Sequence, residues 1–161
     1  MATHGATITW QRGEEEAFLD NRYSRAHLWR FDGGLEVPAS SSPHVVRVPF
    51  SNPANVDPEE AYVAALSSCH MLWFLNLAAM RGYRVDSYVD AAEGAMAKNA
   101  DGKEWVATVT LKPHVVFSGP KALDEAAVEA LHHDAHANCF LANSVRSTLE
   151  TQGSWDYRAA A

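Results

Sequence analysis

The sequence predicts an α+β fold, and three observations carry the prediction: a β-rich opening, one long apolar helix, and a hairpin followed by helical periodicity and a last short strand. This order lacks the regular alternation of a parallel βαβ fold. No glycine-rich phosphate loop or dinucleotide fingerprint occurs along it. With 161 residues and no internal repeat, linker or low-complexity tract, the chain reads as a single domain, 1–161. That length buries a core without disulfide staples.

Each element has a local reason. "HGATITW" and "AHLWRF" read as strands joined by the polar connection "EEEAFLDNRYS", and "FDGG" supplies a tight turn before "LEVPAS". "HVVRVPF", rich in branched residues, predicts a short strand after the "SSSP" loop. A helix is then expected from Pro58 to Arg81. Asp57 can cap it, Pro58 suits its first position, Glu59 and Glu60 favour the positive end of its dipole, and Gly82 can take the left-handed conformation that stops it. "YRVDSYVDAAEGAMAKN" and "EWVATVTLKPHVVF" read as two long strands joined through "NADGK", whose Asp-Gly is a hairpin signal. "KALDEAAVEALHHDAHANCFLANSVRS" carries helical periodicity in two pieces that break around residues 135–138, and "SWDYRA" closes as a strand.

The bulk properties exclude several function classes. A formal net charge of -7 is the opposite of a nucleic-acid binder's basic footprint. The opening "MATHGATITWQRGEEE" has no basic region followed by an apolar one, and "DYRAAA" carries no recognisable anchor, so a cytoplasmic location is expected. The stretch from Ala61 to Met80 lacks formal charge and has the length of a membrane span. Ser67, Ser68, His70 and Asn76 interrupt it, however, and the strands around it need a soluble sheet. A helix apolar around most of its circumference has to be covered, and in a chain this small a second subunit is a natural cover.

"SSCHMLWFLNLAAMRG" places a thiol and an imidazole side by side in that helix. Cys69 is a small core residue, half of a metal site, or a nucleophile. In a reducing compartment two cysteines point to catalysis, redox chemistry or metal more than to a structural bridge. The second cysteine, Cys139, lies in "HHDAHANCF". A thiolate is the reactive form, and a guanidinium beside it favours that charge.

"DPEEAYVAALSSCH" and "AHANCFLANSV" resemble the two cysteine segments of the osmotically inducible protein C and organic hydroperoxide resistance (OsmC/Ohr) superfamily, and the similarity runs from the early strands through "FDGG" to the last helix. The resemblance implies an intertwined homodimer in which antiparallel sheets wrap long central helices. It also implies a thiol-dependent peroxidase: Cys69 attacks an organic hydroperoxide and becomes a sulfenic acid, and Cys139 condenses with it into a disulfide that an external thiol reduces. Sulfur carries the two electrons, so no cofactor is implied. The family's glutamate falls on Glu59, directly after the proline that opens the helix. Its arginine falls on Arg25, counted back from "FDGG", with Arg22 as the alternative. His70 and Met71 after the first cysteine, and Phe140 after the second, depart from the best-known members and place the chain in a less characterised branch.

In an unbroken helix Glu59 and Cys69 stand roughly 15 Å apart along the axis at ~1.5 Å per residue, too far to touch. Either the helix breaks between them, or Glu59 of one subunit serves Cys69 of another with Arg25 bridging. Met71, Leu72, Trp73 and Phe74 surround the thiol in sequence, so an apolar wall and an organic substrate are expected. The rival reading is a metal-binding or redox-sensing module: His132 and His136 lie one helical turn apart, and with His133, Cys139, Cys69 and His70 they are residue types that zinc accepts. A second rival is a dimer that binds an apolar ligand while its thiols stay idle.

Overall fold

Three short antiparallel strands begin the chain: β1 (Ala6–Thr9), β2 (His27–Phe31) and β3 (Glu36–Ala39), in the order β1-β2-β3. The "FDGG" turn closes as expected, with Gly34 at φ 86° donating to the Phe31 carbonyl at 2.9 Å. The computed structural model describes residues 2–159. The chain divides into two units, Met1–Ala61 and Tyr62–Ala161, and this sheet belongs to the first.

"HVVRVPF" does not form the expected strand. The Ser42 carbonyl accepts from Val45 N at 3.0 Å and Val46 N at 2.9 Å, and Phe50 N donates to the Arg47 carbonyl at 3.0 Å, so the segment folds as consecutive turns. Pro49 has no donor to offer a sheet ladder, which favours that outcome over the branched side chains' preference for a strand. The chain then returns to β3, where Ala39 bridges Val56 and Ser40 N donates to the Val56 carbonyl.

Helix α1 (Pro58–Met80) opens on a reciprocal cap: Glu60 N donates to Asp57 Oδ1 at 2.7 Å and Asp57 N to Glu60 Oε2 at 3.1 Å. It closes at Gly82, φ 76°, with Tyr83 N on the Ala78 carbonyl and Gly82 N on the Ala79 carbonyl. No break interrupts the helix between these ends. By length and composition it could cross a membrane, but Leu66, His70, Phe74 and Ala78 form a buried stripe along it.

The long hairpin of the second unit is bent into two. β4 (Arg84–Asp90) pairs with β7 (Pro113–Gly119), and β5 (Glu93–Lys98) pairs with β6 (Glu104–Leu111), each antiparallel but in separate sheets. Asp90 holds the bend: its carboxylate accepts from Lys112 N at 2.6 Å and from the Ser67 hydroxyl of α1. Pro113 cannot supply the next ladder donor, so two strands replace the single one expected. Helix α2 (Glu125–Asn138) is capped by Asp124, whose Oδ1 accepts from Ala127 N at 2.9 Å. It runs through residues 135–138 and turns only at Cys139 into a short 3-10 turn, Ala142–Ser144.

β8 (Thr148–Thr151), which the sequence did not announce, pairs parallel to β6, and β9 (Ser154–Ala159) pairs parallel to β7. The α+β class stands, but the sheets β4-β7-β9 and β5-β6-β8 are mixed rather than wholly antiparallel.

Within the second unit α1 serves two cores. Phe74 and Ala78 pack with Val115, Phe117, Val128, Leu131 and Ala135, while Leu66 packs with Val109 and Leu111. Gly94 sits where a Cβ would lie 2.7 Å from Val63 Cγ2 of α1. Gly94→Ala is therefore expected to force α1 off β5 and destabilise the fold by about 1–3 kcal/mol, the range for overpacking. Chemical denaturation of the variant against the wild type measures the effect.

Candidate active site

The first unit holds the charged pair. Residues 10–26, between β1 and β2, fold so that Phe18 stacks on Tyr23 with ring centroids 4.6 Å apart, and Trp10 meets both, at 5.9 and 5.4 Å. Trp10 Nε1 donates to the Ser24 carbonyl at 2.8 Å, fixing the strand end to this loop. Arg25 lies over the Tyr23 ring at 3.7 Å, a cation–π contact, and donates to Asn21 Oδ1 at 2.6 Å and to the Asn21 and Tyr23 carbonyls. Asn21 takes a left-handed φ of 63° to present them.

A cavity of about 450 Å³ opens beside this stack, lined by Ile8, Trp10, Phe18 and Tyr23 and by both Arg25 and Glu59. Glu60 is committed to the helix cap, while Glu59, one residue earlier, faces the cavity. Arg22 lies instead 5.9 Å over the Phe50 ring and does not line it.

The second unit holds the thiols. Cys69 is half-buried on α1, and Cys139 is fully buried at the C-cap of α2, both as free cysteines. Burial pushes the Cys139 thiol up to about 11, helped by its hydrogen bond to Cys69 and by Cys69's charge. The 3-10 turn opposes this in part, with Ala142 N donating to Cys139 Sγ at 3.4 Å. Cys139 therefore keeps its proton beside Cys69.

The apolar neighbours of Cys69 do not form the wall expected of them. Phe74 is core, Leu72 is exposed, and Trp73 packs edge-on against Phe140 at 5.6 Å. The aromatic wall that does exist comes from the segment read as a polar connection, where Phe18 and Tyr23 were masked by their charged neighbours.

The histidines separate as well. His133 and His136 are exposed, and among the described residues no three His, Cys, Asp or Glu side chains group to hold a metal ion. His132 turns inward instead, its Nδ1 3.1 Å from Nε2 of His70, with the rings stacked at 12° and 5.4 Å. Burial holds both imidazoles down at about 4; at His70 the neighbouring His132 and His136 add to this, and Asp90 pulls the other way.

The family model described as OsmC-like protein matches residues 51–152. The chain belongs to the OsmC-like family. The matched segment holds Glu59, Cys69 and Cys139, and Arg25 precedes it. Among solved structures, an OsmC-like protein of unknown function from Vibrio cholerae is 56% identical, with a TM-score of 0.93 over 96% of this chain and 100% of that one. An organic hydroperoxide resistance protein from Elizabethkingia anophelis shares 18% identity at TM-score 0.67 over 98% of both chains. Another, from Bacillus subtilis, shares 16% at 0.61 over 96% of this chain and 98% of that one. At those identities the last two show the OsmC-like fold alone. No curated protein matches the chain significantly.

Because the two buried imidazoles of this OsmC-like chain stay neutral down to about pH 4, while unfolded ones take up protons near the ordinary value of 6.5, acid favours the unfolded state between those limits. Their contribution is complete above pH 6.5 and is lost as pH falls to about 4. The urea midpoint is expected to drop across that window, and less steeply in His70→Gln/His132→Gln. Equal slopes would contradict neutral burial.

Proposed function

We propose that this protein is a thiol-dependent peroxidase that reduces organic hydroperoxides through two cysteines. The observation that carries the reading is the pairing of a half-exposed thiol, Cys69, with a sealed and protonated one, Cys139. The Cys69 thiolate attacks the outer peroxide oxygen, the O–O bond breaks, and the alcohol leaves with a proton while Cys69 becomes a sulfenic acid. Cys139 then attacks the Cys69 sulfur, its proton leaves with the departing hydroxyl as water, and a disulfide forms. The charge on Cys69 that opposes ionisation of Cys139 is gone once Cys69 is a neutral sulfenic acid, so the second step waits for the first. An external thiol returns both sulfurs to the reduced state.

Arg25 and Glu59 share a cavity with an aromatic wall, which suits a peroxide group held by the guanidinium and an organic tail laid against Trp10, Phe18 and Tyr23. The guanidinium favours the thiolate and the charge developing on the leaving oxygen. Glu59 orients it. Since α1 is continuous from Pro58 to Met80, we place Arg25 and Glu59 of one subunit against Cys69 of a second, in a homodimer with two such sites. The exposed apolar residues of α1, Leu72 at 63% and Met80 at 76%, support a cover by another chain. The working compartment is the cytoplasm, and the role is defence against oxidative stress.

Stopped-flow oxidation by cumene hydroperoxide and by hydrogen peroxide tests the reading. Faster reaction is expected with cumene hydroperoxide, no reaction in Cys69→Ser, and over-oxidation of Cys69 in Cys139→Ser. Arg25→Ala is expected to lower the rate by about 10²–10³, the range for loss of one charge-stabilising donor. Refolding Arg25→Ala together with Cys69→Ser checks the shared site. Sites built across two chains recover roughly a quarter of wild-type activity, because half the dimers are mixed and each carries one intact site; sites built within one chain recover none.

A further inference from the structure

His70 and His132 take no part in those steps, yet they are buried against each other between the two helices that carry the thiols. His70 follows Cys69 directly on α1. His132 precedes Cys139 by seven residues, about two helical turns, so it shares a face of α2 with that cap position. We infer that the His70–His132 pair is the positioning device of the thiols: it ties α1 to α2 in the register that sets Cys69 beside Cys139. The inference takes its purpose from the two-thiol reaction proposed above.

The geometry is that of a hydrogen bond, not of two rings merely packed. Nε2 of His70 and Nδ1 of His132 are 3.1 Å apart, and one must donate while the other accepts, which requires the accepting ring to be neutral. The apolar contacts between the helices, Phe74 and Ala78 with Leu131 and Ala135, allow small slips that a directional bond does not. The Phe74 ring braces the pair at 4.4 Å from His132. The Arg81–Asp134 ion pair also joins α1 to α2, farther from Cys69.

The outer nitrogens of the pair are enclosed as well. His70 Nδ1 and His132 Nε2 are both buried without a partner. His70 is wholly enclosed, whereas His132 lines a cavity with Gln152, Gly153 and Ser154. The single bond couples the two tautomers: with His70 donating from Nε2, His132 carries its proton on Nε2, and with His132 donating from Nδ1, His70 carries its proton on Nδ1. Glu125 and Glu129 of α2 line that same cavity, Asp90 of β4 faces His70, and His136 of α2 acts on it from the next turn. Protonation of both rings would set two cations in contact and leave no acceptor, which breaks the tie.

The full-length protein equilibrated with reduced and oxidised glutathione at pH 7.5 tests this without any hydroperoxide. The dithiol passes two electrons to oxidised glutathione, giving the Cys69–Cys139 disulfide and two reduced glutathiones, and the equilibrium constant reports how well the sulfurs are placed. His70→Leu is expected to lower it about tenfold, one hydrogen bond's worth, while His70→Gln, which keeps a donor near the Nε2 position, stays within about twofold. A constant unchanged in His70→Leu overturns the inference, as does a fall in His70→Gln equal to that in His70→Leu. Nitrogen-15 spectra of the wild-type imidazoles supply an answer even where a variant fails to fold: one solvent-protected N–H···N hydrogen bond between the rings supports it, and two freely exchanging rings overturn it. Failure of the wild type to consume hydroperoxide would bear on the proposed function and leave this equilibrium readable.

Discussion

A helix that does not break sets the terms for this molecule. From its reciprocal Asp57–Glu60 cap to the left-handed Gly82, α1 satisfies its own backbone without interruption, and its buried stripe of Leu66, His70, Phe74 and Ala78 joins two cores. Glu59 in its first turn and Cys69 near its middle are held apart by the same hydrogen bonds that make the helix stable. Any chemistry that needs both has to recruit one of them from elsewhere. An apolar helix with exposed leucine and methionine is also the element best suited to meet a second chain. The chemistry proposed for these residues thus answers to one backbone constraint.

The two thiols differ sharply in burial. Cys69 remains within reach of solvent, and Cys139 is sealed under the 3-10 turn that follows α2. A sealed thiol resists ionisation and adventitious oxidation. The aromatic stack of Trp10, Phe18 and Tyr23 lies beside a guanidinium immobilised by its own loop.

Much of this was legible because local signals act at short range. Asp57-Pro58-Glu59-Glu60 and Gly82 marked the ends of α1, and the Asp-Gly of "NADGK" marked the hairpin, since caps and turns depend on neighbours in the chain. The bend at Asp90 was not legible, because alternation continues through Ala91 and Leu111 and only the Lys112 N–H, 22 positions away, reveals what Asp90 does. "HVVRVPF" misled because side-chain preference for strands yields to Ser42 and Pro49 when no partner strand is at hand. Cys69, Cys139, Glu59 and Arg25 are candidates that rest on likeness to a family rather than on a local rule. The His70–His132 contact spans 62 positions, and no spacing rule reaches that far.

The parallel strands at the end of the chain have a bearing on how the protein comes to be folded. β8 and β9 each complete a three-stranded sheet by pairing with a strand forty positions earlier, with α2 between them. Neither sheet can close from its own neighbourhood, so loop-closure entropy is spent before either gains its third strand. During synthesis strands β6 and β7 wait with an open edge until β8 and β9 follow, and those later strands shield them both from pairing with another nascent chain.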